Sequence, residues 1–271
     1  MSKEKENKLK TVLTALGKVL VAFSGGVDST YLLYAAKEAL GKDNVLACIA
    51  ESPTYPMEEV EDAIRVADEL GVRVRQIVTE EFSDENFVAN SRERCYFCKK
   101  ELFAKMKQLA QENGISWVVD GSNADDLNDF RPGSRAKEEF GVRSPLQEAE
   151  LTKKEIRELS KAAGLRTWDK PSMACLASRI PYGTRLDEAV LKMVGTGEKF
   201  LKAMGFGQLR VRHHNQIARI EVDNDTVGQV LVKKTMDQIV KKFEELGYLY
   251  VTLDLKGYRS GSMNEGFTPN E

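Results

Sequence analysis

The fold is organised around one stretch of the sequence, Val19-Leu20-Val21-Ala22-Phe23-Ser24-Gly25-Gly26-Val27-Asp28-Ser29-Thr30. The apolar first half of this stretch predicts a buried parallel strand. The residues that come after the whole stretch predict the first turns of a helix. Between them lies a polar turn in which Gly25 and Gly26 let the main chain approach a ligand closely. A strand, a glycine turn and a helix N-terminus together form an anion site, because backbone N–H groups and the helix dipole point at one place. The sequence therefore predicts a phosphate-binding loop, to which Ser24 and Ser29 add hydroxyl donors.

This loop differs from the two commonest nucleotide-binding patterns. The pattern G-x-x-x-x-G-K-[ST] is absent, no lysine follows the glycines, and G-x-G-x-x-G is absent as well. The segment Ser24–Ser29 resembles instead the PP-loop, S-G-G-x-D-S, of the ATP pyrophosphatase superfamily. The resemblance implies that ATP is cut between its α- and β-phosphates, and that the nucleotide is bound by Ser24, Gly25, Gly26, Val27, Asp28 and Ser29. The alternative is a tight turn between a strand and a helix.

Composition limits the class of protein. The chain has 271 residues, with 40 Lys+Arg and 42 Asp+Glu, which gives a formal net charge of −2. This balance argues against broad binding to nucleic acid, which needs many phosphate contacts. No stretch approaches the length of apolar sequence that spans a membrane, and residues 1–8 have no apolar region typical of a secretory signal. We therefore expect a cytoplasmic protein with no membrane and no nucleic-acid partner.

The first part of the chain alternates between strand and helix patterns. The predicted strands are 19–23, 44–50, 72–78 and 115–120, and the third, which alternates in polarity, is expected near the sheet edge. The predicted helices are 3–16, 58–70 and 95–113, and another whose first turns are 31–36 and which ends near Gly41, with a polar loop or short helix over 79–94. Such alternation indicates the α/β class, with a doubly wound parallel sheet like that of adenine nucleotide alpha hydrolase-like PP-loop domains. We assign residues 1–170 to this domain.

Ligands in such sheets bind at the carboxyl ends of the strands. Three predicted loops lie there: the PP-loop, the loop that carries Ser52, and the polar loop 121–133. We expect Ser52, Gly121 and Asp125 to bind nucleotide or magnesium, the alternative for the last loop being a solvated surface.

The first domain ends with one more predicted helix, and a different pattern follows it. Thr152–Ala163 predicts a helix whose capping box pairs Thr152 with Glu155. Residues 171–186, with two prolines, predict an irregular linker that carries Cys175. Residues 187–271 predict a second, smaller α+β domain, with helices over 187–204 and 234–246, a hairpin of 209–214 with 216–222, and a last strand over 248–255.

The four cysteines suggest a metal site or redox chemistry. Cys95 and Cys98 form C-x-x-C on one side of a predicted helix turn, Cys175 lies in the linker, and Cys48 lies in an apolar strand that suits core packing. Three thiolates suit a [4Fe-4S] cluster with one iron open to an exogenous atom. Alternatives are zinc held by three cysteines and either His213 or His214, a disulfide, and plain thiols.

Five segments, which together extend over nearly the whole chain, resemble the LarE family: Ser24–Ser29, Arg94–Lys99, Gly121–Asp126 with Arg131–Gly133, Pro171–Arg179, and Gly257–Asn264. The resemblance implies an ATP-dependent sulfurtransferase that matures the nickel-pincer nucleotide cofactor of lactate racemase. The substrate would be pyridinium-3,5-biscarboxylic acid mononucleotide, whose carboxylate is adenylated and then converted to a thiocarboxylate. The resemblance also implies a homohexamer.

The same resemblance offers two sulfur sources. In some family members one cysteine, matching Cys175, gives up its own sulfur and becomes dehydroalanine. In others an added C-x-x-C completes a three-cysteine cluster. Because this chain has that pair, the resemblance favours a [4Fe-4S] cluster on Cys95, Cys98 and Cys175.

Charged residues have further expected roles. Either Asp28 or Asp125 is expected to hold Mg²⁺, and the sequence does not choose between them.

Arg210 and Arg212 alternate on one strand face and, with Arg259, are expected to bind the substrate phosphate, the alternative being a solvated face. Ser178 and Arg179 are expected to position or polarise Cys175, with Glu198 as a weaker candidate site residue.

Three other functions fit parts of the sequence. A tRNA thiolase of the same superfamily should have a larger basic surface and further zinc-binding cysteines. An ammonia-fed synthetase would leave the cysteines incidental. A non-catalytic ATP-binding regulator with structural zinc would bind ATP but release no pyrophosphate.

Overall fold

The computed structural model describes residues 2–128, 132–171 and 174–259. The chain forms two compact units, Met1–Met173 and Ala174–Glu271, and the division falls inside the segment 171–186. Parts of the sequence motifs lie outside the described residues, namely Arg131, Ser172, Met173 and residues 260–264.

The first unit contains a four-stranded sheet flanked by helices. Its strands are β1 (Val19–Ala22), β2 (Val45–Glu51), β3 (Arg73–Val78) and β4 (Trp117–Val119). The described helices are α1 (Ser2–Leu16), α2 (Val27–Leu40), α3 (Met57–Glu69), α4 (Glu85–Val88), α5 (Arg94–Glu112), α6 (Gly133–Phe140), α7 (Pro145–Glu148) and α8 (Lys153–Ala162). The strands pair in parallel in the order β3-β2-β1-β4.

Apolar residues are buried on both faces of this sheet. Val19 and Val21 of β1 belong to one core, together with Leu32 of α2 and with residues of α1, α3 and α8. Leu20, which points to the opposite face, belongs to a second core with Phe103 of α5. Helices therefore cover both faces, and the predicted doubly wound parallel sheet is confirmed.

The edge position of the third strand is also confirmed. β3 pairs with β2 alone among the described strands, and Val78 at its end is 63% exposed, whereas Leu20 of β1 is fully buried. The alternating polarity of residues 72–78 therefore correctly predicted a strand at the edge of the sheet.

The connections contain more helix than the sequence predicts. The polar segment 121–133 includes a 3₁₀ turn, Ala124–Asn128, and α6 begins at Gly133. The helices α6 and α7 have no counterpart in the sequence prediction, because each is short and carries few periodic apolar residues. The strand β4 is also shorter than the predicted 115–120.

The capping box at the start of α8 is confirmed. The Thr152 N–H donates to Glu155 Oε2 at 2.9 Å, and the Glu155 N–H donates to Thr152 Oγ1 at 3.3 Å. A hydrogen bond from Lys5 to the Glu155 carboxylate and the bond from the Thr152 backbone lower the pKa of Glu155 to about 2. These contacts fix the N-terminus of α8, which lies beside the PP-loop.

The second unit is built on a three-stranded sheet. Its strands are β5 (Leu209–His214), β6 (Ile217–Val222) and β7 (Tyr250–Leu253), in the order β5-β6-β7. β5 and β6 form the predicted antiparallel hairpin, and β7 pairs with β6 in parallel. The described helices are α9 (Glu188–Ala203), α10 (Val227–Val230) and α11 (Lys233–Glu245), and a 3₁₀ turn covers Leu176–Arg179.

Two adjacent histidines predict a loss of stability in mild acid. His213 is 7% exposed, and its Nδ1 lies 3.3 Å from the Tyr248 hydroxyl. Burial, followed by nearby positive charge, lowers the pKa of both His213 and His214 below the ordinary value of 6.5. The unfolded chain therefore takes up protons first as the pH falls below about 6.5, so folding stability falls there.

The expected slope is at most about 1.4 kcal/mol per pH unit for each ring. Urea unfolding of the wild type and of His213→Gln, followed by circular dichroism across this range, measures it. The variant should show a shallower pH dependence. A pH dependence equal in both proteins would contradict the assignment to His213.

Among the described residues, no helix combines the length and the apolar character needed to cross a membrane.

Candidate nucleotide site and cysteine segment

The PP-loop follows β1 at the carboxyl end of the sheet. The Ser24 N–H donates to Ser29 Oγ at 3.3 Å, the two hydroxyl oxygens lie 3.1 Å apart, and Ser29 Oγ donates to the Gly26 carbonyl at 3.2 Å. Gly26 is the N-cap of α2, and Val27, whose side chain is 3% exposed, begins that helix. The loop therefore presents the helix N-terminus and two hydroxyls, while Val27 adds only its backbone.

Gly25 has two separate reasons to be glycine. Its φ is +67°, in the left-handed region, and a Cβ built on it would lie 2.8 Å from the Cβ of Ala63 in α3. The loop thus packs directly against α3 at a point with no room for a side chain.

Replacing Gly25 with alanine should cost about 2–4 kcal/mol of unfolding free energy and sharply weaken ATP binding, because φ strain and a clash with Ala63 add together. Gly17→Ala is the matched control, since Gly17 has φ +71° but open space around it, and should cost only about 1 kcal/mol. Urea unfolding and ATP titration measure both. Equal losses in the two variants would show that contact with α3 does not matter.

Lys170 ties the loop to α3. Its ammonium donates to the Gly25 carbonyl at 3.2 Å and forms ion pairs with Glu59 at 2.9 Å and with Asp62 at 2.8 Å. Burial raises the pKa of Asp62, but hydrogen bonds from Lys170 and Arg166 outweigh it and lower this pKa to about 2. Lys170 was not predicted from the sequence, where it is one of many lysines.

Both predicted magnesium acids meet one residue of α8. The ammonium of Lys153 forms an ion pair with Asp28 Oδ2, and the Lys153 N–H donates to Asp125 Oδ2 at 2.8 Å. Oδ1 of Asp28 is buried and has no hydrogen-bond partner in the described part of the chain. Asp28 and Asp125 thus both contact Lys153, the first through its ammonium and the second through its backbone N–H.

Gly121 and Ser52 lie in the two neighbouring loops. A Cβ on Gly121 would lie 3.0 Å from the Ser29 nitrogen, so Gly121 packs against the N-terminus of α2. Ser52 Oγ accepts from the Thr54 N–H at 3.0 Å and donates to the buried carboxylate of Glu81. Gly121 therefore shapes the phosphate cradle, whereas the Ser52 proton is used within the protein.

Cys95 and Cys98 are the second and fifth residues of α5, which begins at Arg94. Cys95 is exposed and Cys98 is half-buried, whereas Cys48 is fully buried in β2. A helix N-terminus favours the thiolate form, and thiolate is the ligand that iron–sulfur clusters take. Across residues 2–128, 132–171 and 174–259, no group of three or more metal-ligating side chains is assembled. The donor chemistry of Cys95 and Cys98 suits part of a cluster.

Cys175 is held by its carbonyl group. It precedes the 3₁₀ turn, and its carbonyl accepts from Ser178 Oγ at 2.8 Å, from the Ser178 N–H at 3.0 Å and from Arg179 at 3.3 Å. Arg179 also donates to the Ala174 carbonyl at 3.0 Å. The thiol is half-buried and takes no part in these bonds, so Ser178 and Arg179 fix the backbone that carries it.

A buried carboxylate anchors Arg179. Glu198 of α9 receives two hydrogen bonds from the guanidinium, at 2.8 and 3.0 Å, and also accepts from the Val211 N–H of β5 at 3.0 Å. The Arg179 and Glu198 side chains are 3% and 7% exposed. Glu198 therefore joins α9, β5 and the Cys175 segment.

The predicted phosphate-binding arginines lie in the same unit. Arg212 donates to the Ser178 carbonyl at 3.0 Å and pairs with Glu221 at 2.9 Å. Burial, followed by the charge of Arg179, lowers the pKa of Arg210, whose guanidinium stacks over Tyr258 at 5.0 Å. Arg259 forms an ion pair at 3.6 Å with Asp254, the residue that follows β7. Arg212 thus contacts the turn that follows Cys175, whereas Arg210 packs against Tyr258.

Comparisons with known proteins agree with this architecture. Residues 3–112 match the NAD synthase family model. The chain is 48% identical over 59 residues, 22% of each chain, to the NH(3)-dependent NAD(+) synthetase of Pyrococcus furiosus. It is 41% identical over 97% of its length, and 95% of the relative, to the pyridinium-3,5-bisthiocarboxylic acid mononucleotide synthase of Lactiplantibacillus plantarum. An uncharacterized protein of Synechocystis sp. is 41% identical over 99% of this chain and 100% of its own.

A parallel sheet with an SGGVDS loop between β1 and α2 defines an enzyme of the PP-loop ATP pyrophosphatase class. The identity to the Lactiplantibacillus plantarum synthase extends over nearly the full length of both proteins, so it identifies one family within this class. The chain belongs to the family of pyridinium-3,5-bisthiocarboxylic acid mononucleotide synthase, the LarE family, which confirms the resemblance found in the sequence.

Proposed function

We propose that this protein is an ATP-dependent sulfurtransferase that acts on pyridinium-3,5-biscarboxylic acid mononucleotide in the biosynthesis of the nickel-pincer cofactor. The observation that carries the proposal is a PP-loop with complete cradle geometry in a chain 41% identical to the synthase of Lactiplantibacillus plantarum.

The first step is activation of the substrate. A substrate carboxylate oxygen attacks the α-phosphorus of ATP, an acyl adenylate forms, and pyrophosphate leaves with the electron pair of the broken P–O bond. Ser24, Ser29 and the N-terminus of α2 stabilise the charge that develops on pyrophosphate. Gly25, Gly26 and Gly121 keep the cradle open for the phosphates.

Magnesium fits the residues present. Carboxylate oxygens are the ligands that Mg²⁺ prefers, and Asp28 has a buried oxygen without a partner among the described residues. Asp28, with Asp125 as the alternative, would hold the ion, which would supply charge neutralisation on the phosphates.

The second step replaces AMP with sulfur. A sulfide donor attacks the acyl carbon, the acyl–phosphate bond breaks, and AMP leaves with the electron pair, so that a thiocarboxylate remains. We propose that Cys95, Cys98 and Cys175 hold a [4Fe-4S] cluster, which would supply a bound sulfide. The contacts to the Cys175 carbonyl support a fixed position for its thiol. The alternative source is the Cys175 sulfur itself.

Arg210, Arg212 and Arg259 are proposed to bind the substrate phosphate. Arginine binds phosphate bidentately, and Arg212 already lies against the turn that follows Cys175. The family resemblance adds a homohexamer to the proposal, which the mass of the particle in solution tests.

Pyrophosphate release tests the enzymatic proposal. Purified protein with Mg²⁺ and ATP should release pyrophosphate when pyridinium-3,5-biscarboxylic acid mononucleotide is added, and not with the matching amide. Nicotinic acid adenine dinucleotide with ammonia is the control for an NAD synthetase. Release only with that control would overturn the proposal, and ATP binding without any release would favour a non-catalytic regulator.

A further inference from the structure

Lys153 holds an unusual position between the two candidate magnesium acids. It is the first residue of α8, and the capping box of Thr152 and Glu155 fixes its backbone. Its N–H donates to Asp125 Oδ2 at 2.8 Å, while its ammonium pairs with Asp28 Oδ2. One residue therefore contacts both acids, through its backbone and through its side chain.

The ion pair with Lys153 provides a partner for Oδ2 of Asp28 but not for Oδ1. Oδ1 is buried and has no hydrogen-bond partner among the described residues. A buried carboxylate oxygen left without a donor or a cation is costly. The ammonium thus neutralises Asp28 incompletely, and a divalent cation would satisfy it better.

The PP-loop itself contains no lysine, although it is built to receive phosphates. Lys153 lies at its edge and also lines an open depression of about 570 Å³, together with Asp125, Lys154 and Arg157. The Lys153 side chain is 30% exposed, and within the described part of the chain its ammonium pairs with Asp28 alone. Its ammonium borders this open space, so it is not enclosed at Asp28.

We propose that Lys153 is an exchangeable counter-ion of the PP-loop. In the ligand-free protein its ammonium neutralises Asp28. When the metal–nucleotide complex binds, the divalent cation takes its place on Asp28, and the ammonium moves to the ATP phosphates. This inference rests on the proposed ATP-dependent function and adds a residue that the sequence motif lacks.

The exchange couples the two ligands. A divalent cation that binds alone must displace the ammonium from Asp28. ATP that binds alone draws the ammonium away and leaves Asp28 unpaired. When both bind, neither cost remains, so each ligand tightens the binding of the other by the same factor.

Direct binding measurements test the exchange without turnover. Mn²⁺, a paramagnetic substitute for Mg²⁺, is titrated by electron paramagnetic resonance, and ATP is titrated by calorimetry with and without Mn²⁺. Relative to the wild type, Lys153→Met should bind Mn²⁺ alone about fivefold more tightly and ATP alone about tenfold more weakly. The factor by which Mn²⁺ tightens ATP binding should also fall.

Lys154→Met is the matched control, since Lys154 lines the same depression, and it should keep the wild-type coupling. If Lys153→Met does not fold, Lys153→Gln carries the same test. Unchanged Mn²⁺ affinity in the variant, together with weaker ATP binding and lower thermal stability, would show a fixed structural pair and overturn the inference. Wild-type protein that binds no ATP even with Mn²⁺ would instead overturn the proposed function.

Discussion

Replacing Arg179 with methionine is expected to lower the unfolding free energy of the second unit by about 3–5 kcal/mol. The guanidinium makes two hydrogen bonds to Glu198, and the two side chains are 3% and 7% exposed. Methionine can fill much of the space but leaves the Glu198 carboxylate buried without its partner. The variant also removes the bonds to the carbonyls of Ala174 and Cys175, so the Cys175 segment should loosen.

Two controls separate this buried pair from ordinary surface ion pairs. Lys233 and Asp237 form an exposed pair in α11, and Lys233→Met should cost no more than about 0.5 kcal/mol. The double variant Arg179→Met with Glu198→Gln should recover part of the loss, because no buried charge remains unpaired. Chemical unfolding measures all of these, and equal costs at the buried and exposed pairs would contradict the assignment.

Replacing Cys175 with alanine should abolish sulfur transfer while pyrophosphate release continues. The bonds from Ser178 and Arg179 reach the Cys175 carbonyl rather than its thiol, so the backbone should stay in place and stability should change by less than about 1 kcal/mol. Activation uses the PP-loop, which this substitution does not touch. The variant should therefore consume ATP and form no thiocarboxylate.

Cys48→Ala is the control for removing a thiol. Burial raises the pKa of the Cys48 thiol to about 12, so it stays neutral and is a poor nucleophile. This variant should lose some packing energy but transfer sulfur normally. Normal transfer by Cys175→Ala would remove Cys175 from the mechanism.

Cys95→Ala distinguishes the two sulfur sources. With a three-cysteine cluster, protein purified without oxygen should contain about four irons per chain, and the variant should lose them together with repeated turnover. Iron-free protein that converts one substrate molecule per chain, and then lacks the Cys175 sulfur by mass, would contradict the cluster and support the sacrificial route.

The sequence predicted those features that local pattern determines. The continuous apolar run that contains Val19 and Leu20 predicted a buried strand, and Thr152 with Glu155 predicted the start of α8. Residues at the carboxyl ends of strands were placed correctly at one edge, since parallel topology requires it. The edge strand β3 followed from its alternating polarity.

Contacts between distant residues could not be predicted in this way. Nothing in the spacing of Lys153 or Lys170 shows that these lysines, among 40 basic residues, reach the PP-loop. The Arg179–Glu198 pair depends on the packing of α9 against the Cys175 segment, although both residues were candidates. The hydrogen bond from Ser52 to Glu81 likewise joins two residues that only the fold brings near each other.

Mass spectrometry of the reaction product is the sharpest test of the proposed sulfur transfer. The protein is incubated without oxygen with ATP, Mg²⁺, a sulfide source and pyridinium-3,5-biscarboxylic acid mononucleotide. If the protein is this sulfurtransferase, one carboxylate oxygen of the product is replaced by sulfur, with one AMP and one pyrophosphate for each sulfur incorporated. AMP and pyrophosphate formed with unchanged substrate, or with an amide product when ammonia is present, would contradict it.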